Sequence, residues 1–389
     1  MPLVDRMHGF GTTIFAEMTA LATATGSVNL GQGFPDTDGP PAMLDAAIEA
    51  IRTGHNQYAP GSGIPGLRAA ISAHQHRHYD LRPDPEAEVL VTAGATEALT
   101  AALLALVGPG DEVVTFEPYY DSYAAAIALA GATRRVVTLE PPDDVFSASA
   151  LAAAITPRTR VLLLNSPHNP TGKVFTLSEL EVIADAARTH DLVVVTDEVY
   201  EHLVFDGVHI PIATLPGMWE RTITISSAGK TFSCTGWKIG WASGPEPLVD
   251  AVRTVKQFLT YTNGTPFQYA VTLALETCDD FVENLRSDLA RNRDALAAGL
   301  RAAGFTAFDS AGTYFLTADI SPLGATDGLE FCRSTLPERA GVVAVPTQVF
   351  YDDPEAGRHL VRFAFCKRHA VITEAVDRLA RLHPVESSS

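Results

Sequence analysis

The stretch Val193-Val194-Val195-Thr196-Asp197-Glu198-Val199-Tyr200 decides how this chain is read. Its β-branched run makes a short strand, and an acidic residue stands at the end of it. The same grammar repeats on both sides. Val89-Leu90-Val91-Thr92 leads into the helical period of Glu97 to Val107, and Glu112 to Phe116 precedes Tyr120 to Ala130. Val161 to Leu164 precedes Leu177 to Thr189, the strand Leu192 to Thr196 follows, and Thr222 to Ser226 comes later. Strand–helix–strand repetition of this kind predicts an α/β fold with a mostly parallel sheet covered by helices on both faces. In such sheets ligands sit beyond the carboxyl ends of the strands. Asp197 is at such an end.

The other strand ends carry their own signals. Ala93-Gly94-Ala95-Thr96-Glu97-Ala98 is a glycine turn opening a helix, so backbone N–H groups and the helix dipole face any anion held there. Many strand-to-helix turns look alike, so this one informs only in company. In Asn165-Ser166-Pro167-His168-Asn169-Pro170-Thr171-Gly172 the prolines and glycine fix an irregular loop with Asn169 at the strand exit. An amide there donates to an anionic ring oxygen. A carboxylate such as Asp197 at the end of an apolar strand is costly without a cation. A protonated pyridine nitrogen is such a partner, and pairing makes the ring a better electron sink; the plain alternative is an N-cap. Ser226-Ser227-Ala228-Gly229-Lys230-Thr231-Phe232 and Gly236-Trp237-Lys238-Ile239-Gly240-Trp241 follow the next strand. Small residues there present Lys230 on a constrained loop, while Ser227 and Lys238 reach toward a phosphate. A lysine near other cations loses proton affinity and acts as an amine nucleophile. An isolated lysine is ordinarily a solvated charge; here the flanking residues argue otherwise. Leu360-Val361-Arg362-Phe363-Ala364-Phe365 alternates and sets Arg362 among apolar neighbours. Such a guanidinium takes a carboxylate bidentately, or forms an ordinary internal salt bridge.

A chain of 389 residues has room for one large α/β domain and a smaller one. The smaller, α+β in character, is predicted from a long helix, Phe281 to Ala303, closed by Gly304, strand-like Thr313 to Thr317 and Leu360 to Ala364, and a final helix, Val371 to Leu382. The expected division is residues 1–40 as an N-terminal arm and part of the small domain, 41–275 as the large domain and 276–389 as the small one, with Ser387 to Ser389 a frayed tail. A net charge of −18 argues against nucleic acid or an anionic membrane as partner. Four scattered cysteines without a CxxC pair suit reduced thiols, and no apolar leader or spanning run is present, so a cytoplasmic protein is expected. His74, His76 and His78 look like a metal tract, but with no carboxylate placed to complete a site they are expected to form a solvated helix face, with no metal.

Taken in order, HNPTG (168–172), DEVY (197–200), SSAGK (226–230), GWKIGW (236–241) and VRF (361–363), with Asn29-Leu30-Gly31-Gln32-Gly33-Phe34-Pro35 ahead of them, resemble the class I/II aminotransferases of pyridoxal-phosphate fold type I. The resemblance covers essentially the whole chain. It implies pyridoxal 5′-phosphate as cofactor, carried by Lys230 as a Schiff base, with Lys230 later moving a proton between Cα and C4′. It further implies Asp197 on the pyridine nitrogen, Asn169 and Tyr200 on the phenolic oxygen, and Tyr120, of Glu117-Pro118-Tyr119-Tyr120-Asp121, stacked on the ring. Ala95, Thr96, Ser227 and Lys238 would hold the phosphate. Tyr58, in Asn56-Gln57-Tyr58, resembles the tyrosine that reaches the phosphate of a neighbouring subunit, which implies a homodimer with shared sites. Arg362, the backbone of Gly33 and Asn169 would bind the substrate, Arg362 by its α-carboxylate.

Within that family NLGQGFPD (29–36), EPYYDSY (117–123) and SSAGKTFSCTGWKIGW (226–241) are similar to kynurenine and glutamine transaminases. Phe15-Ala16-Glu17-Met18, Ser166-Pro167-His168, the run Glu198 to Phe205 and Phe363-Ala364-Phe365-Cys366-Lys367 are similar to actinobacterial N-succinyldiaminopimelate aminotransferases. The donor implied is N-succinyl-LL-2,6-diaminopimelate, with 2-oxoglutarate as acceptor. The alternatives are a glutamine-, methionine- or kynurenine-type transaminase, or a cysteine-conjugate β-lyase. The loop Tyr261-Thr262-Asn263-Gly264-Thr265 lacks the aromatic and histidine of kynurenine-type enzymes, a departure that speaks against an aromatic substrate. A second carboxylate on the substrate would need another cation facing Arg362, and spacing alone identifies none. A regulator built on this scaffold would carry a DNA-binding domain ahead of it; an acidic chain without a helix-turn-helix segment speaks against one.

Overall fold

Strands form where β-branched runs can be covered on both faces. A computed structural model describes residues 4–382; the tail Ser387 to Ser389 lies outside the described residues. In chain order the strands are β1 (Val28–Asn29), β2 (Val89–Thr92), β3 (Glu112–Glu117), β4 (Thr133–Thr138), β5 (Thr159–Asn165), β6 (Val193–Asp197) and β7 (Thr222–Ser227). They continue with β8 (Gly240–Ser243), β9 (Thr306–Ala307), β10 (Phe315–Asp319), β11 (Val342–Val343), β12 (Val345–Pro346) and β13 (Leu360–Ala364).

Seven of these form one sheet, in the order β2-β8-β7-β6-β5-β3-β4. The pairs from β7 across to β4 are parallel, and β8 runs antiparallel to both β7 and β2. The fold class is therefore α/β with a mostly parallel sheet, as the strand–helix alternation predicts. Successive side chains of β5 divide between two layers: Val161 and Leu163 pack into one core, Leu162 and Leu164 into another. Helices Gly94–Leu106 and Glu246–Leu259 close the first core, and Leu177–Thr189 closes the second. Each fully buried Leu or Val contributes about 1.5–3 kcal/mol of transfer free energy. Thr176 and Glu179 start the Leu177–Thr189 helix with a reciprocal capping box.

Register decides which exits meet. Asn165 stands opposite Asp197, and Asp197 opposite Ile225. Ser227 and Thr92 both stand opposite Gly240. The residues that follow β2, β5, β6 and β7 thus emerge along one edge.

A second, four-stranded antiparallel sheet has the order β12-β13-β10-β9, and β1 pairs in parallel with β11. The long helix Asp279–Ala302 packs with helix His369–Leu379 beside it. Gly304, at φ +95°, takes the left-handed conformation that ends the first of these. In β13, Arg362 lies opposite Thr317 and Val345, which carries it into the interior.

Several expectations need correction. The strand predicted over Thr313 to Thr317 begins at Phe315, because Thr313 sits at φ +66°, outside strand geometry. The final helix spans His369–Leu379 rather than Val371 to Leu382. Lys230 lies in the short helix Ala228–Thr231, not on a loop; Ser227 caps it through the Gly229 N–H at 3.2 Å. His74 is buried, so the histidine tract is not a solvated face throughout. The four cysteines are unpaired, and no helix among the described residues is long and apolar enough to cross a membrane.

Candidate active site

The level strand exits open on one cavity of about 250 Å³. The turn after β2 gives it Ala95 and Thr96, at the start of helix Gly94–Leu106, where the first N–H groups have no carbonyl partner inside the helix. Lys238, held at φ 53°, brings its amine over Gly94; a Cβ built on that glycine would lie 3.2 Å from Nζ. Ser227 lines the same corner. Gly240 explains why the corner is so tight: a Cβ there would stand 2.7 Å from the Ala95 nitrogen. The motif glycine lets β8 lie directly against the helix N-terminus. Backbone N–H groups, a hydroxyl and an amine converge here, the donor set for a phosphate.

The middle of the cavity belongs to Asp197, Tyr200, Tyr120 and Lys230. Asp197 is buried, and its Oδ2 accepts a 2.7 Å hydrogen bond from the Tyr123 hydroxyl. A backbone bond from Val199 is long, at 3.4 Å. Among the described residues no cation pairs with it. Burial raises its proton affinity above the ordinary carboxylate range, and Tyr123, Val199 and Lys230 offset only part of that. The Lys230 amine donates to the Tyr314 hydroxyl at 2.9 Å, and that hydroxyl donates to the Gly33 carbonyl at 2.5 Å. Burial is the main cause that lowers the Lys230 amine to about 8, with Lys238 and Arg362 adding to it. Desolvation, rather than the neighbouring cations expected from the sequence, is the larger effect. Burial likewise raises the Tyr120 phenol to about 12, so it faces the cavity as a neutral ring.

Arg362 closes the far side and is 1% exposed. Its Nη1 donates to Asn169 Oδ1 at 2.9 Å and its Nη2 to the Gly31 carbonyl at 3.1 Å, while its Nε is buried without a partner. The guanidinium sits 3.9 Å over the Phe315 ring centroid. Burial lowers its proton affinity to about 10, and no carboxylate among the described residues pairs with it. The internal salt bridge weighed as its alternative is therefore not made. Gly33 borders this end because a Cβ there would come within 2.5 Å of the Phe315 ring.

Of the residues singled out in the sequence, Ala95, Thr96, Tyr120, Asn169, Asp197, Tyr200, Ser227, Lys230, Lys238, Arg362 and Gly33 meet in this cavity. Tyr58 does not. It is 83% exposed, packed edge-on against Tyr261 at 5.6 Å, and borders a separate surface depression. Sequence reasoning missed Tyr123 and Tyr314, the two hydroxyls that position Asp197 and Lys230. Tyr123 stands within the EPYYDSY run, but nothing in the sequence says which of its tyrosines turns toward the carboxylate.

The arrangement fits pyridoxal phosphate on observations of the chain itself. A buried carboxylate without a cation suits a protonated ring nitrogen. The helix N-terminus with Ser227 and Lys238 suits a phosphate, and a lysine of lowered proton affinity suits an aldehyde. The chain matches the sequence profile of aminotransferase class I and II over residues 25–379. It is 56% identical to the probable N-succinyldiaminopimelate aminotransferase of Mycobacterium tuberculosis, over 97% of this chain and 98% of that one. It is 39% identical to the methionine aminotransferase of Escherichia coli, over 98% and 99% of the two chains. The solved structure of N-succinyldiaminopimelate aminotransferase from Mycobacterium tuberculosis superposes with a TM-score of 0.96 at 57% identity, covering 98% of this chain and 100% of that one.

Proposed function

The chain belongs to the class I and II aminotransferases, and from that premise we propose that it moves an amino group from N-succinyl-LL-2,6-diaminopimelate to 2-oxoglutarate with pyridoxal 5′-phosphate as cofactor. The observation that carries this reading is two buried, oppositely charged groups, Asp197 and Arg362, without ionic partners among the described residues, on one cavity with Lys230. Unpaired buried charge costs several kcal/mol per ion, so such groups are retained where a ligand completes them.

When bound, pyridoxal phosphate supplies an electron sink for charge developing at the substrate Cα. The residues of the chain do the rest. Arg362 orients the α-carboxylate through the edge that its bonds to Asn169 and Gly31 leave open. The Asn169 Nδ2, which has no protein partner among the described residues, and the Tyr200 hydroxyl would hold the oxygen of the cofactor ring when it is bound. Lys230, with an amine near 8, takes a proton from Cα and returns it without a large mismatch at neutral pH. Tyr314 holds that amine in place between the two transfers.

The donor proposed carries further carboxylates, and a second cavity of about 330 Å³ shares Lys230 with the first. Lys367, Arg368 and Arg291 line it, and we assign the distal succinyl carboxylate to that group. Lys367 is the best placed of the three, already donating to the Phe34 carbonyl at 2.6 Å. Tyr58, 83% exposed beside Tyr261, supports a homodimer in which Tyr58 serves a neighbouring site.

A donor panel tests the assignment, with N-succinyl-diaminopimelate, glutamine, methionine, kynurenine and glutamate each scored by oxo-acid formation. The expected result is a kcat/KM highest for the succinylated donor, with Lys367→Met raising its KM about tenfold and leaving that for methionine unchanged. Equal rates across the panel would overturn the substrate assignment. Pyruvate and ammonia formed from a cysteine conjugate without any acceptor would favour the lyase.

A further inference from the structure

Helix Pro65–Tyr79 carries His74 and His78 four residues apart, which puts both rings on one face. His74 is nonetheless only 3% exposed. Part of its cover comes from 128 positions away: His202, just past Tyr200, turns its ring into the same space, and Trp241 packs against His74 as well. The Nε2 atoms of His74 and His202 are 2.7 Å apart, so two neutral rings share a single proton. Ring centroids are 4.6 Å apart for His74 and His78, 4.9 Å for His74 and His202, and 4.8 Å for His78 and His202. One ring nitrogen from each lies within 4.8 Å of those of the other two.

We propose that His74, His78 and His202 form a binding site for one divalent transition-metal ion of the zinc class. A tetrahedral ion with Zn–N bonds of about 2.0–2.1 Å sets its ligand nitrogens about 3.3 Å apart. The His74–His202 pair reaches that by opening about half an ångström. His78 is exposed and turns inward to join them. The ion takes the place of the proton now shared between the two Nε2 atoms. Solvent, admitted beside His78, fills the fourth position.

The ligand set selects the ion. Three imidazoles suit zinc, copper, nickel and cobalt, whereas magnesium and calcium require oxygen. Burial first, and the neighbouring charges second, hold the three rings below the ordinary histidine range, His202 at about 4. Their lone pairs are therefore open at neutral pH, with little proton competition. The charged groups around the cluster divide in sign. Arg77 opposes a cation but is bridged to Asp279 at 3.1 Å, and Glu201 lies beneath. His209 is tied to Glu198 at 2.8 Å. One feature limits affinity: among the described residues the buried His74 Nδ1 has no hydrogen-bond partner. The outer acceptor that usually orients a metal-bound imidazole is missing there, a loss of about 10–100-fold, so binding on the order of micromolar is expected. The ion ties helix Pro65–Tyr79 to the segment leaving β6, two residues beyond Tyr200.

The test uses the holoenzyme, stripped with a chelator and desalted, then titrated with Zn²⁺ by calorimetry and with Co²⁺ by visible absorption. His78→Ala removes an exposed ligand at little risk to the fold, and His76→Ala, exposed on the same helix, is the control. The expected result is one Zn²⁺ per chain, at least tenfold weaker binding in His78→Ala, and no change in His76→Ala. Saturating Zn²⁺ is expected to raise the melting temperature by about a few degrees in wild type and not in His78→Ala. Wild type that takes up no Zn²⁺ at about 1 mM, or His78→Ala that binds like wild type, overturns the site.

Discussion

The two edges of the main sheet treat buried carboxylates in opposite ways. At the amino edge, Glu112 opens β3 with its side chain 1% exposed. Its Oε2 accepts from the Thr156 hydroxyl at 2.7 Å and its Oε1 from Arg158 Nε at 3.1 Å. These partners, the Thr156 hydrogen bond foremost, hold it below the ordinary range for Glu. At the carboxyl edge, Asp197 ends β6 with one hydroxyl donor and, among the described residues, no cation, and burial moves its proton affinity up. One carboxylate is completed by the chain and the other is left for a ligand. A buried ionisable group marks a functional site when its partner is missing, not merely when it is buried.

Exchanging charge for amide at each edge breaks that symmetry most visibly. Asp197→Asn is expected to lower turnover about 10²–10³-fold and to loosen the cofactor, because the charge facing the ring is gone. Without cofactor the variant is expected to melt no lower than wild type, since a carboxylate the fold does not satisfy has been removed. A melting curve run alongside the kinetics separates these effects. A drop in stability as large as the drop in activity would place Asp197 with Glu112.

Lys230 sharpens the comparison from the cationic side. Labelling of the cofactor-free chain with an amine-directed reagent, read peptide by peptide across pH, is expected to show Lys230 reacting with a midpoint near 8. The sign of the linkage follows: the amine is lower in the folded chain than in the unfolded one, so this group adds stability as pH rises from 8 toward 10.5. Below 8 that contribution is absent. A midpoint near 10.5 would mean the amine is solvated.

Arg362→Gln removes a charge without emptying the space. Charge-assisted bonds are worth roughly 1.5–3 kcal/mol, so the variant is expected to raise KM for every donor by about 10–100-fold. An unchanged KM, from initial rates at varied donor, would move the α-carboxylate elsewhere. Glu112→Gln gives the smallest effect: unaltered turnover and a loss of about 1 kcal/mol at pH 7, discounted because Arg158 is exposed. Its lowered proton affinity means the contribution is held above the unfolded pKa and lost as pH falls through the folded one. Denaturant unfolding at pH 7 and pH 3 measures it.

What could be read in advance follows the same line. Strand exits are local, so Asn169, Asp197, Lys230 and Arg362 are legible from the residues around them. The parallel core of the sheet is legible for the same reason: its strands are apolar on both faces. Strand β4 is not, because Arg134 and Arg135 interrupt its apolar pattern and it lies at the edge. The hydroxyls of Tyr123 and Tyr314 escape notice because what they do depends on partners 74 and 84 positions away. His74 is the sharpest instance: the histidine tract reads as a solvated face, yet His74 packs against His202 and Trp241, both distant in sequence.

The central claim is that the partnerless charges serve a cofactor attached to Lys230. Borohydride reduction of the cofactor-loaded protein, followed by mass mapping of its peptides, tests it most directly. One stable adduct per chain is expected, on the peptide that holds Lys230. An adduct on another lysine, or none on a protein that still turns over, would contradict it.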